Sequence, residues 1–203
     1  MTRNSGILLT CIFVAVGGQA ASETFKDRHA LKCPAGSKLT VLEGEGNKAE
    51  FCGKGKVLHG PAREWYPNGT QRTLDNWSDG KKSGLWIEWD EMGVKRGEHC
   101  YRAGELNGRE TLWHANSKRA SLTHYKAGLK SGPIAQWALD GMQIAAGQFL
   151  DGESDGVWTF RDPKTHETFS VTFDRGKKVG QSQISAKEFT EWVETPARCD
   201  GAV

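Results

Sequence analysis

The feature that most constrains the fold is a repeat of 24 residues that runs through the middle of the chain. Two glycine columns, a tryptophan column and a mixed aromatic column recur at this step in one register. A fixed period of this length is typical of proteins built from stacked supersecondary units. The columns are Gly60, Gly84, Gly108, Gly132, Gly156 and Gly180; Gly80, Gly104, Gly128, Gly152 and Gly176; Trp65, Trp89, Trp113 and Trp137; and Trp77, Tyr101, Tyr125, Phe149 and Phe173.

Each repeat has the pattern of a β-hairpin. The unit His59–Lys82, HGPAREWYPNGTQRTLDNWSDGKK, places Asn68-Gly69 at one turn, where both residues can adopt positive φ, and Asp79-Gly80 at the other. The segments between turns have a normal strand length of about six to eight residues. We therefore predict an all-β fold, an elongated single-layer antiparallel meander of five hairpins over residues 56–180. The glycines are expected to serve turns, bulges and close backbone contacts.

The repeat resembles the MORN (membrane occupation and recognition nexus) repeat, in the variant found in bacterial YwqK-type antitoxin proteins. The shared pattern is a glycine-led strand with a tryptophan, a turn glycine, and an aromatic residue followed by Asp-Gly or Ala-Gly. Ser117 replaces the turn glycine of the third unit, and Arg161 replaces the tryptophan of the fifth. The resemblance covers residues 54–180, and its matching segments are HGPAREWYPNGTQ, SGLWIEWDEMGVKRGEHCYRAGELNG and SGPIAQWALDGMQIAAGQFLDGESDG.

Residues 1–20 have the pattern of a secretory signal peptide. Arg3 supplies a positive start, Ile7–Val16 is an apolar run, and Gly18-Gln19-Ala20 offers a cleavage site. The segment ending at Cys11 loosely resembles a lipobox, but the apolar run continues beyond it, so we expect no lipid anchor there. The chain is therefore predicted to be exported to the periplasm or the extracellular space.

Four cysteines remain after the signal, and an even number in an exported chain indicates two disulfides with three conceivable connectivities. Cys33 and Cys52 both precede the repeats, which favours their pairing to clip an N-terminal lobe over residues 21–55. Cys100 with Cys199 would then tie the C-terminal tail to the sheet.

Residues 181–203 are predicted to cap the array with a strand, a short helix and a tail. Ser185 and Glu188 have the spacing of a capping box. Phe189, Trp192 and Val193 follow at helical spacing, and Pro196 would end the helix. Such a helix would cover an edge strand that otherwise invites pairing with another chain.

The repeated aromatic residues are the candidate partner-binding residues. The tryptophans share one strand position, so they should project from one face, about 10 Å apart. One interpretation is that they pack with the second-strand aromatics as the core of the repeat. The alternative is an aromatic groove that binds a partner. The residues of this groove would be Trp65, Trp89, Trp113, Trp137, Tyr101 and Tyr125.

Catalytic, metal and cofactor chemistry is not indicated. The histidines lack the spacing of a helical zinc motif, and no nucleophile elbow or phosphate-binding loop occurs. Paired carboxylates would permit glycoside chemistry, but charged residues on the wet face of a sheet are the ordinary expectation. The histidines are His29, His59, His99, His114, His124 and His166, and the strand carboxylates include Glu64, Glu88, Asp90 and Glu110.

Charge and patterning together favour a binding protein over an enzyme. The formal net charge of +2 offers no footprint for nucleic acid, and it gives no indication of binding to anionic membranes, although membrane contact stays open. We expect an exported scaffold that binds a protein or a cell-envelope component. An antitoxin or immunity role and a lipid-associated role are the alternatives that the MORN resemblance implies. Edge-to-edge pairing into a homo-oligomer is also left open.

Overall fold

The chain folds into one antiparallel β-sheet. The computed structural model describes residues 31–44, 47–189 and 199, and these contain strands and turns but no helix. The strands are β1 (Lys38–Gly44), β2 (Asn47–Lys54), β3 (Val57–Trp65), β4 (Gln71–Ser78), β5 (Lys81–Lys82), β6 (Gly84–Trp89), β7 (Lys95–Arg102), β8 (Glu105–Trp113), β9 (Arg119–Lys126), β10 (Leu129–Trp137), β11 (Gln143–Leu150), β12 (Glu153–Arg161), β13 (Thr168–Asp174) and β14 (Lys177–Gln183).

The strands lie in the sheet in the order in which they occur in the chain. Each one pairs with its sequence neighbours, except that the short β5 pairs only with β4, beside β6. This open meander confirms the predicted antiparallel sheet of hairpins, and β3 to β13 supply the five predicted units. The sheet is larger than predicted, because β1 and β2 form a further hairpin before the array and β14 follows it. Residues 38–54, which the sequence assigns to the disulfide-clipped N-terminal lobe, contain the first two strands of the same sheet.

The two turn columns have different conformations. At Asp79-Gly80 both residues have positive φ, 47° and 78°, as a type I′ hairpin turn requires. At the other turn Gly69 alone is in the left-handed region, with φ 83°, so the prediction of positive φ for Asn68 is wrong. The Asn68 side chain instead accepts a hydrogen bond from the Thr70 N–H at 2.9 Å. Ser117 keeps the left-handed conformation of the glycine it replaces, with φ 64°.

The first glycine column makes room for a side chain from the preceding strand. A Cβ on Gly60 would lie 3.0 Å from the Cys52 Cβ, and one on Gly108 would lie 3.0 Å from the Cys100 Cβ. Both glycines also have a φ of 109°, which L side chains rarely adopt. The same position pair recurs at Asn76–Gly84, His124–Gly132 and Gln148–Gly156.

Both predicted disulfides are present. Cys33 bonds Cys52, and Cys100 bonds Cys199 across a sequence separation of 99 residues. Cys52 and Cys100 occupy the same column of the repeat, two periods apart, and both are buried. Two disulfides are typical of proteins that fold in an oxidising compartment outside the cytoplasm. No described helix has the length and apolar character needed to cross a membrane.

A turn follows the last strand at the C-terminal end of the sheet. The Ser185 N–H and hydroxyl each donate to a Glu188 carboxylate oxygen at 2.8 Å, so the contact of the predicted capping box is formed. Residues 186–189 form a turn, and the continuation of the predicted helix through Trp192 and Val193 lies outside the described residues. The buried Phe189 ring lies 4.1 Å from the guanidinium carbon of Arg161, the residue that replaces a tryptophan.

Candidate binding surface

The two aromatic columns lie on opposite faces of the sheet. Ala62 and Arg63 are neighbours on β3 and therefore project to opposite sides. Trp65 is on the side of Arg63, whose guanidinium carbon lies 4.9 Å from its ring centroid. Trp77 is on the side of Asp75, which pairs with Ala62 and accepts a hydrogen bond from the Trp77 indole. We call these the back face, with Trp65, Trp89, Trp113 and Trp137, and the front face, with Trp77, Tyr101, Tyr125, Phe149 and Phe173.

The predicted site residues are therefore not brought together. Tyr101 and Tyr125 lie on the front face, and the four predicted tryptophans lie on the back face, so the two sets cannot form one groove or pack as one core. All six side chains are half-buried.

Basic side chains lie over the back-face tryptophans. Trp65 has a second cation besides Arg63, because the Lys48 Nζ is 5.0 Å from its ring centroid. Both cations also bind the carboxylate of the buried Glu50, Arg63 at 2.6 Å and Lys48 at 3.1 Å. The cation–π arrangement recurs with Lys95 over Trp113 and Arg119 over Trp137. Intramolecular cation–π contacts thus occupy a ring face of Trp65, Trp113 and Trp137.

A shallow depression of about 460 Å³ lies beside Trp65 at the end of the sheet formed by β1 to β4. Its charged residues pair with each other: Lys48 lies 3.5 Å from Glu43, and Arg72 lies 4.0 Å from Glu64. The charges are therefore compensated locally.

The front face carries a continuous set of aromatic and charged side chains between β4 and β9. The Trp77 and Trp86 ring centroids are 6.1 Å apart, and those of Trp86 and Tyr101 are 5.7 Å apart. The Lys82 Nζ lies 3.3 Å from the Trp86 centroid. We call this set the front-face cluster: Asp75, Trp77, Lys82, Trp86, Glu88, His99, Tyr101, Glu110 and Tyr125.

The second half of the cluster is centred on Glu110. One of its carboxylate oxygens lies 3.0 Å from the His99 Nδ1, and the other accepts a hydrogen bond from the Tyr125 hydroxyl at 3.3 Å. Burial, together with the negative charge of Glu110, raises the pKa of Tyr125 to about 12. His99 also lies 3.9 Å from Glu88. These contacts link the acidic side chains of two neighbouring hairpins, Glu88 and Glu110, through His99.

Asp75 is the most buried charged residue of the cluster, with a relative exposure of 5%. Its carboxylate accepts a hydrogen bond from the Trp77 indole N–H at 2.6 Å. Burial nevertheless raises the pKa of Asp75 to about 6, because the hydrogen bond compensates only part of the lost hydration. Burial also lowers the pKa of Lys82, while the carboxylates of Glu88 and Asp75 oppose that effect.

Asp75→Asn is expected to stabilise the protein above pH 6. The folded state holds the Asp75 proton up to a pKa of about 6, against an ordinary 3.8, so its contribution to stability is present below about pH 4 and is lost as the pH rises to 6. The asparagine oxygen can still accept from Trp77. Urea unfolding at pH 7.5 should show a gain of about 2 kcal/mol. At pH 3.5 the two proteins should unfold alike. Asp151→Asn, in an exposed turn, is the control; a loss of stability for Asp75→Asn would contradict the argument.

The repeat shows that the fold does not require polar residues at the centre of this face. Equivalent positions of neighbouring strands form one column of facing pairs across the front face. The pairs are apolar or uncharged before and after the cluster, and charged groups enter only within it. The facing pairs are Phe51–Ala62, His99–Glu110 and Thr123–Ile134, and the equivalent positions of the repeat hold Asp75 with Trp86 and Gly147 with Trp158. A costly buried charge at a position that apolar residues fill elsewhere indicates a functional role.

Metal binding has no support among the described residues, where no group of three or more His, Cys, Asp or Glu side chains could hold an ion. Known proteins give no further guide to the site, since neither a protein-family model nor a curated protein matches this chain.

Proposed function

We propose that this chain is an exported binding scaffold whose protein partner docks on the front-face cluster. The observation that carries the proposal is that two successive positions of the column of facing pairs at the centre of the front face hold the carboxylates Asp75 and Glu110, where the positions before and after them are uncharged. Tryptophan and tyrosine are also the residues that most often dominate the energy of protein interfaces. The cluster offers Trp77, Trp86, Tyr101 and Tyr125 as half-buried anchors.

The charge of the front-face cluster indicates the charge of its partner. Asp75, Glu88 and Glu110 outnumber the single cation Lys82, so a complementary partner presents basic groups. The disulfides support a location outside the cytoplasm, and the signal-like residues 1–20 favour the periplasm or the extracellular space. The likeness of the repeat to MORN units supports a scaffold that binds through its sheet. A periplasmic immunity protein would be one form of such a scaffold.

The proposal is tested by comparing the two faces. Trp86→Ala/Tyr101→Ala disables the front face, and Trp89→Ala/Trp113→Ala is the matched change on the back face. Partners are captured from the envelope fraction of the source organism, purified, and titrated calorimetrically against all three proteins. We expect the front-face variant to bind at least about 30-fold more weakly than the wild type, as loss of a hot-spot aromatic residue implies.

The back-face variant should retain the wild-type affinity. Thermal unfolding of each variant shows whether it is folded at the temperature of the titration. Loss of binding in the back-face variant alone would overturn the proposal and transfer the site to the tryptophan column.

A further inference from the structure

Lys82 places its ammonium group against two aromatic rings of the front-face cluster, beside a third. Its Nζ lies 3.3 Å from the ring centroid of Trp86 and 4.7 Å from that of Tyr101. Trp77 is the direct strand partner of Lys82 and has its ring 6.1 Å from that of Trp86. The ammonium is thus lined by ring faces, where the electron density of the π-systems attracts a cation.

Carboxylates complete the surroundings of this ammonium. Glu88 and Asp75 act on the charge of Lys82 and partly offset the desolvation that lowers its pKa. Asp75 is fixed by its hydrogen bond to Trp77, and Glu88 lies beside His99. Ring faces together with nearby negative charge are the chemistry by which proteins hold alkylammonium groups.

The other repeats show that the sheet does not need a cation at this position. Leu58 and Leu106 are the equivalents of Lys82 in the neighbouring units, and Lys130 is the equivalent two units on. Lys130 lies over the single ring of Phe149, with its Nζ 5.0 Å from the centroid. The contact of one ammonium with two rings is therefore a local feature of Lys82 and not a requirement of the repeat.

We propose that Trp77, Trp86 and Tyr101 form a cage for an alkylammonium group, and that Lys82 is an internal occupant which the ligand displaces. The inference rests on the proposed function in one respect: the natural ligand is a basic side chain of the protein partner. Lys82 can leave, because its four-carbon stem rotates freely once the ammonium is released. As a tethered competitor it weakens binding of any external cation to the wild-type protein.

The test is to remove the internal occupant and add the cation alone. Lys82→Ala is titrated with N-acetyl-lysine methylamide and, separately, with tetramethylammonium, while the indole N–H signals of Trp77 and Trp86 are followed by NMR. We expect saturable shifts of both signals, with a Kd at least about tenfold below that of the wild type. Sodium chloride at the same ionic strength should leave the signals in place.

Two variants make the result specific. Lys130→Ala removes the lysine that covers a single ring, and it should bind neither cation better than the wild type does. Lys82→Ala/Trp86→Leu should lose the saturable shift of the Trp77 signal. Thermal unfolding confirms that each variant is folded; leucine at the equivalent positions of other units shows that the sheet tolerates an uncharged residue there.

The outcomes separate this inference from the proposed function. Shifts with the lysine derivative support the cage and assign a basic peptide, whereas shifts with tetramethylammonium alone support the cage and assign a quaternary ammonium ligand. If neither cation shifts the indole signals of folded Lys82→Ala, the cage is overturned. The calorimetric titration of the front-face and back-face variants with a purified partner is unaffected by that result. It measures the affinity for the whole partner and does not depend on which of its groups binds.

Discussion

Gly147→Thr is expected to destabilise the protein by about 3 kcal/mol, the upper part of the range for overpacking a well-packed core. A Cβ at Gly147 would lie 2.2 Å from the indole of Trp158, whose ring is buried on the front face. No rotation of the threonine side chain can relieve this contact, because the clash involves its first carbon, so the buried indole would have to move. The measurement is the free energy of unfolding in urea, compared at a constant m-value.

A substitution of Trp158 tests whether the clash causes the loss of stability. Trp158→Ile alone removes a buried ring and should cost about 3 kcal/mol. Combined with Gly147→Thr it recreates the Thr123–Ile134 pair of the preceding unit, which the same sheet already accommodates. The double variant should therefore be markedly more stable than the sum of the single changes implies. Simple additivity would show that the two positions do not compensate each other.

Removal of the Cys100–Cys199 disulfide is expected to have the largest effect on stability. The bond closes a loop with a sequence separation of 99 residues, for which the chain-entropy relation gives about 4.7 kcal/mol. The Cys33–Cys52 bond closes a loop with a separation of only 19 residues, for which the same relation gives about 3 kcal/mol. The loss of stability is measured by replacing both cysteines of one disulfide with alanine and unfolding each of the two variants in urea.

The two disulfides form a matched comparison. Cys52 and Cys100 are buried at equivalent positions, each packed against a glycine eight residues later. The two variants should therefore lose similar packing energy. The difference between their free energies of unfolding then reflects the difference in loop length. An equal loss in both, or a larger loss for the shorter loop, would show that packing rather than chain entropy controls the effect.

The fold was predictable because the repeat has a fixed period. Glycine and aromatic columns at 24-residue steps identify strands and turns in every unit. Gly36 falls in the first glycine column and indicates a degenerate unit before the array, but β1 and β2 lack the aromatic columns, so the pairing of β2 with β3 becomes visible only from the register. The short turn at Asn68-Gly69 was assigned the wrong φ because the sequence does not show that the Asn68 side chain binds the backbone of Thr70.

The binding surface was less predictable, because the register shifts are not visible in the sequence. A shift in register lies at each of Trp65, Trp89, Trp113 and Trp137. The period alone therefore does not show that the tryptophan column and the second-strand aromatic column lie on opposite faces. A signal for the front-face cluster was nevertheless present: the column Phe51, Asp75, His99, Thr123 and Gly147 holds titratable side chains at its second and third positions only. Its facing partners Trp86 and Glu110 could be recognised only once the strands were paired.

The covalent topology set by the Cys100–Cys199 bond also governs the response of the protein to mechanical force. When the two ends of the chain are pulled, tension passes from Cys100 directly to Cys199 and bypasses all residues between them. Strands β8 to β14 lie wholly inside this bypass, so they bear no load, while the strands before Cys100 that lie outside the Cys33–Cys52 loop do. Reduction of that one bond would expose β8 to β14 to the load, and their unfolding would then lengthen the chain by roughly 330 Å.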